Sequence, residues 1–191
     1  MIYETIVTTQ NPDGSAQIAP FGIREVDSHI LIAPFRPSSS LENFLRTGRA
    51  VVNMTDDVRV FAGSLTGRRQ WPVCPAQRIE GWVLQDALSH RELELLHVND
   101  HELRPELVFR VVHEQIHGMF RGFNRAQAAV LEAAVLVSRL HLLPQDKIES
   151  EIRYLTIAID KTAGERELVA WGWLMEKIEN FMAESRGGNQ A

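Results

Sequence analysis

Apolar and polar positions run as strands along the first part of the chain and at helical spacing along the last third. Residues 2–9 are rich in Ile, Val and Thr and end at Asn11-Pro12-Asp13-Gly14-Ser15, a strong turn signal. A second strand-like run covers 16–26, Asp27-Ser28 makes a tight turn, and 29–35 forms a third run. This order predicts an antiparallel meander. Residues 50–55 and, after Asp56-Asp57, the apolar 58–65 extend the series. Residues 66–76, with Gly67, Pro72 and Pro75, break every periodicity and predict a long irregular loop around Trp71. Strand-like runs resume at 79–86 and 92–98, 100–105 reads as a connection, and 107–112 is the last run. Strands with turns at this spacing predict a small barrel or closed sheet.

At about Asn124 the period changes. Ala126, Val130, Ala133, Val137 and Leu140 recur at helical spacing, and Leu131, Val135, Leu136 and Leu142 fill the other faces, so this helix should be buried. After Pro144, Ile148, Ile152, Leu155 and Ile159 stripe a second helix, and 161–164 make the next turn. Leu168, Trp171, Leu174 or Met175, Ile178 and Phe181 stripe a third. The expected fold is therefore β-rich α+β. A barrel domain over 1–123 is followed by a three-helix subdomain over 124–186 and a disordered tail over 187–191.

One stretch joins these patterns to chemistry. Arg36-Pro37-Ser38-Ser39-Ser40 separates the third strand-like run from a short helix that ends at Gly48. Ser39 with Glu42 three residues later is a capping-box signature, and Gly48 stands where a C-cap glycine belongs. The first turn of such a helix offers unpaired N–H groups and a partial positive charge. Three hydroxyls and Arg36 crowd that point, as a phosphate site requires. The plainer reading is that the serines only cap their own helix.

Composition narrows the choice of ligand. The chain has 191 residues, 45% of them hydrophobic, enough for a sizeable core. Its net charge of −5 argues against nucleic acid or an anionic membrane as partner. Arg36, Arg46 and Arg49 make the serine turn locally basic, which favours a small anion over a polyanion. A single cysteine, Cys74, excludes an internal disulfide framework. Without a signal peptide or an apolar run of membrane length, a cytoplasmic protein is expected.

The loudest short motif is His113-Glu114-Gln115-Ile116-His117, which matches the zinc-protease pattern. That pattern needs a helix to put both histidines on one face. Here the β-branched, alternating 108–112 precedes it and Gly118 closes it, so a pair of histidines at a strand end is expected. A zinc hydrolase stays as a remote alternative, and no metal site is assigned. His97 and His101 lack companion ligands, Cys74 lacks a base, and neither a Gly-rich dinucleotide loop nor a P-loop occurs. No residue stands out as a catalytic acid or base.

The β-meander running into a serine-rich helix start, and back through Arg49-Ala50-Val51-Val52-Asn53 into a strand, resembles the flavin-reductase-like split barrels that bind FMN. Downstream, Phe123-Asn124-Arg125-Ala126, 129–136, Arg139-Leu140 and Asp160-Lys161-Thr162-Ala163-Gly164 resemble an uncharacterised branch of that superfamily with a helical C-terminal subdomain. The resemblance implies a split β-barrel, FMN as cofactor, and a homodimer with the flavin at its interface. It implies phosphate ligands at Arg36, Ser38, Ser39 and Ser40, with Asn43 nearby. Ring and ribityl contacts would come from Ala19, Pro20, Phe21 and Gly22 and from Asn53, Met54 and Thr55. Phe61 or a partner subunit's Trp71 would cover an open face. The implied activity is an oxidoreductase acting on an unidentified small molecule, with a non-catalytic flavin carrier or regulatory protein as the alternative.

Overall fold

The computed structural model describes residues 1–187, the last three of these by backbone only. In chain order the elements are β1 (Tyr3–Gln10), β2 (Ala16–Val26), β3 (His29–Ile32), α1 (Ser39–Thr47), β4 (Arg49–Met54) and α2 (Arg59–Leu65). Then come β5 (Val73–Pro75), β6 (Trp82–Leu84), β7 (Ser89–Asn99), β8 (Glu106–Ile116), α3 (Arg125–Val137), α4 (Gln145–Thr162) and α5 (Glu165–Gly187). The chain divides into two compact units: residues 1–56 with 69–120, and residues 57–68 with 121–191.

In the first unit, six strands close an antiparallel barrel in the order β1-β2-β3-β8-β7-β4. Alternation explains its filling. Val7, Ile23, Ile30, Ile32, Ala50, Val52, Leu93, Leu107 and Phe109 form one buried cluster, which Leu41 and Phe44 of α1 complete. Phe44 is wholly buried and meets Phe21 and Phe109 edge-on, at ring distances of 5.9 and 5.5 Å. The β2–β3 turn is Asp27-Ser28, both with positive φ, as a two-residue hairpin turn of the right twist requires.

The opposite positions on β1, β4 and β7 face away from that cluster, and the segment around the small β5–β6 sheet covers part of them. Val51, Ile79 and Val83 bury one another there, with Ala76 and Val112 alongside. Thr8 donates to the carbonyl of Trp82, and the backbone N–H of Leu84 donates to Asn53. Two expectations are corrected here. Residues 73–75 are not irregular, because Val73 pairs with Leu84; and of the expected strand over 79–86 only Trp82–Leu84 pairs.

The second unit is helical. The expected strand over 58–65 is instead α2; its N-cap Val58 and its Ala62 belong to the same buried cluster as Ala126, Val130, Ala133, Ile148, Ile159, Leu174 and Ile178. Its apolar residues are satisfied by a helix-packed core, so the run carries no period-two signature to test. The three C-terminal helices are present, and the unit takes this additional helix from some 60 residues earlier in the chain. Asn124 caps α3 by accepting from Ala126 and Gln127, and its amide donates to the Thr162 carbonyl at the end of α4. That contact ties the two downstream segments of the sequence resemblance to one another. The tail expected at 187–191 lies outside the described residues, except for Gly187, which closes α5. Among the described residues no helix is long and apolar enough to cross a membrane.

Candidate functional site

The serine turn starts α1, with a register one residue off the capping-box expectation. Ser38, extended at φ −156° and ψ 141°, is the N-cap and its hydroxyl accepts from the Leu41 N–H at 3.3 Å. Ser39 is therefore the first helical residue and is exposed, while Ser40 is buried. Glu42 lies in the first turn, and its N–H makes the first helical bond to the Ser38 carbonyl. Gly48 is the left-handed C-cap, φ 65°, donating to the Phe44 carbonyl. Arg36 joins Pro37 through a cis peptide, donates its backbone N–H to Leu103 and pairs with Asp100 at 2.6 Å.

Two of the expected contact residues have their polar groups committed. The Asn43 amide donates to Thr9 at 3.1 Å and to Asn11 at 2.9 Å, and its oxygen accepts from Arg46. Asn53 is fully buried; it donates to the carbonyl of Ile6 and accepts from Leu84 at 2.8 Å. Both residues position neighbours. Residues 19–22 lie on β2 opposite 4–7 of β1 and alternate in direction: Phe21 packs into the barrel core, so Pro20 and Gly22 lie on the other face. Gly22 is closely approached, since a Cβ there would sit 2.7 Å from Ile2. Met54 packs against the core, and Thr55 follows the end of β4. Trp71 is half-buried in the segment before β5, whereas Phe61 is buried on α2 in the helical unit.

A second polar cluster escaped the sequence reading. On β7, His90 and Glu92 are two residues apart and share a face, opposite Asn53 and Val51 of β4. On the other side, Glu92 is opposite His113 of β8. The Glu92 carboxylate is wholly buried and accepts three backbone N–H bonds, from Gln77 at 2.6 Å, Arg78 at 2.7 Å and Ile79 at 2.9 Å. Burial opposes its ionisation, but these three donors outweigh that and hold the carboxyl below the usual carboxylate range. His90 Nε2 lies 3.4 Å from Glu92, and its Nδ1 lies 2.8 Å from His117 Nε2. Burial lowers the His90 pKa from the ordinary histidine value, against the opposing pull of Glu92.

The zinc-protease match is thereby resolved: residues 113–116 lie on an antiparallel strand, not a helix. Glu114 points away from the cluster and pairs with Arg91 at 3.3 Å. What sequence spacing could not show is that His113 meets His90 and Glu92 across the sheet. The available signal was His90-Arg91-Glu92, two ionisable groups on one side of a strand that continues into apolar Leu93.

Comparison with known proteins places this architecture. Residues 3–118 match a family model described as protein of unknown function (DUF447) N-terminal domain, and residues 124–176 match one described as protein of unknown function (DUF447). No curated protein matches the chain. Among solved structures, an FMN-bound protein of Methanosarcina mazei bearing the same DUF447 designation superposes with a TM-score of 0.79 at 21% identity, over 92% of this chain and 94% of that one. The 2-nitrobenzoate 2-nitroreductase of Pseudomonas fluorescens matches at 0.52 and 20% identity, over 60% of this chain and 64% of that one. Nitrilotriacetate monooxygenase component B of Bacillus cereus matches at 0.52 and 18%, over 65% and 75%. At these identities the likeness is one of fold: a closed antiparallel barrel with helices, α+β.

Proposed function

The chain belongs to the DUF447 family, and we propose that it is an FMN-binding flavoprotein, acting as a cytoplasmic homodimeric oxidoreductase on a small molecule. The observation that carries this reading is the start of α1. Exposed Ser39 stands at the positive end of a helix already capped by Ser38, between two strands of a barrel fold shared with an FMN-bound protein. The residues present fit the phosphate end of FMN. Ser38 keeps its hydroxyl hydrogen to donate while its oxygen serves the helix, Ser39 offers a free-standing hydroxyl, and the first-turn N–H groups point outward. Arg36 adds charge; its exposed pair with Asp100 is a weak competitor for a phosphate.

Pro20, Gly22, Met54 and Thr55 would border the ring and ribityl chain, with Trp71 of either subunit excluding water from an open face. Asn43 and Asn53 serve this site by holding α1 and the segment around β6 in place. When bound, FMN supplies the redox chemistry; the protein contributes orientation and shielding.

Anaerobic titration of purified protein with FMN tests the reading, followed by addition of NAD(P)H. Quenched flavin fluorescence, a raised melting temperature and bleaching of the bound flavin are expected. Binding without bleaching by any donor would make the protein a flavin carrier or regulator. A monomer by light scattering with FMN bound would remove the interface from the proposal.

A further inference from the structure

We propose that His90, Glu92 and His113 form a binding site for one divalent first-row transition-metal ion of the Zn²⁺ or Fe²⁺ class. Within the barrel unit their ring nitrogens and a carboxylate oxygen lie within 4.8 Å of one another. Ligands about 2.1 Å from a tetrahedral ion stand about 3.4 Å apart. His90 Nε2 and Glu92 already have that 3.4 Å separation, so small side-chain rotations of His113 close the triangle.

A separate observation points to the same spot. His113 Nε2 is a buried polar atom with no hydrogen-bond partner among the described residues. A buried nitrogen without a partner has given up its hydrogen bond to water for nothing, and a metal ligand role removes that penalty.

The surroundings match what a metal site needs beyond its ligands. His90 Nδ1 is held by His117 at 2.8 Å, which fixes the ring and directs Nε2 toward Glu92. Glu92 Oε2 is anchored by Arg78 and Ile79, while Oε1 accepts from the Gln77 N–H at 2.6 Å and faces His90 with its remaining lone pair. With the ion on Nε2, neutral His90 would carry its one proton on Nδ1 and donate it to His117 Nε2, so the ring binds by a change of tautomer without net proton release. His90 also borders a cavity of about 570 Å³, with Met54, Ser89, Arg91, Glu114 and Gln115.

Two imidazoles with one carboxylate select zinc-like or ferrous ions; Mg²⁺ and Ca²⁺ prefer all-oxygen sites. The site is independent of the FMN reading, because none of its ligands is among the proposed flavin contacts.

The test uses the full chain, stripped with a chelator and then dialysed against Zn²⁺ or Co²⁺ with no FMN present. The expected result is one Zn²⁺ per chain, undisturbed by millimolar Mg²⁺, and visible ligand-field bands with Co²⁺. His113→Gln should weaken Zn²⁺ binding by about 100-fold, and His117→Ala by about 10-fold, by loss of the group that orients His90. His97→Ala, on an exposed part of β7, should bind like the parent. A readout that needs no variant is acylation by diethyl pyrocarbonate mapped by mass spectrometry: Zn²⁺ should protect His90 and His113 but not His97. Failure of the parent protein to take up stoichiometric Zn²⁺, equal acylation of His113 with and without the ion, or unchanged affinity in folded His113→Gln would each overturn the proposal.

Discussion

The serine turn and the His90–Glu92–His113 cluster are both sites built from polar side chains, but they differ in how the chain brings them together. Arg36, Ser38, Ser39 and Ser40 are neighbours in sequence, and one helix start arranges them. His90, Glu92 and His113 come from two strands whose register aligns them, under a segment that contributes three backbone donors. The first site is set by local backbone geometry and sits at the surface. The second is set by barrel topology and is buried. A contiguous site can therefore change its ligand contacts without disturbing the fold, whereas the assembled cluster is part of what closes the barrel's outer covering.

Removing the centre of the buried cluster should give the largest effect. Glu92→Ala leaves the Gln77, Arg78 and Ile79 N–H groups without their acceptor. It should cost about 3–5 kcal/mol in chemical denaturation, the range for breaking a buried charged network. A loss under 1 kcal/mol would show that the apolar contacts with Val51 and the hydrogen bonds to Thr8 and Asn53 hold the segment without Glu92.

At the serine turn the comparison predicts a split between adjacent residues. Ser39→Ala should weaken FMN binding about 10-fold, or about 1.4 kcal/mol, with stability unchanged, measured by flavin fluorescence and thermal melts. Ser38→Ala should cost about 1 kcal/mol of stability, because it removes the helix cap. Equal effects of the two substitutions on stability would return the turn to a plain capping role.

The smallest effect is a pH dependence, read in metal-free protein. His90 has a lowered pKa, so the unfolded chain binds a proton at a higher pH than the folded one. Stability is therefore complete above the ordinary histidine range and declines as pH falls through it. Glu92, also lowered, adds a second decline further into acid, below the ordinary carboxylate range. The imidazoles of His113 and His117 and the Glu92 carboxylate face His90 from β8, the residues after it, and β7. His90→Gln should remove the upper step and leave the lower one, when melting temperature is followed against pH.

The same contrast explains what could be read in advance. The strands of the meander, the serine-capped helix with its Gly48 stop, and the three C-terminal helices announce themselves through short-range period and punctuation. Residues 58–65 read wrongly as a strand because five of the eight, Val58, Val60, Phe61, Ala62 and Leu65, are apolar and suit a strand or a buried helix equally, and only packing in the helical unit decides. β5 was missed as well, being three residues long and defined only by its pairing with Trp82–Leu84. The capping register slipped by one because Ser38, Ser39 and Ser40 are chemically equal as caps and backbone geometry alone distinguishes them. Asn43 and Asn53 were readable as polar residues at a site, but their saturation by Thr9, Asn11, Ile6 and Leu84 depends on strand order. His90 and Glu92 gave almost no warning, since their meeting with His113 exists only in the β7–β8 register.

Equilibrium titration of the purified chain with FMN, followed by flavin fluorescence, tests the central claim most directly. Saturable quenching at one FMN per chain is predicted, with affinity reduced in Ser39→Ala while the melting temperature of the unliganded protein is retained. Unchanged FMN fluorescence on titration with folded protein would contradict it.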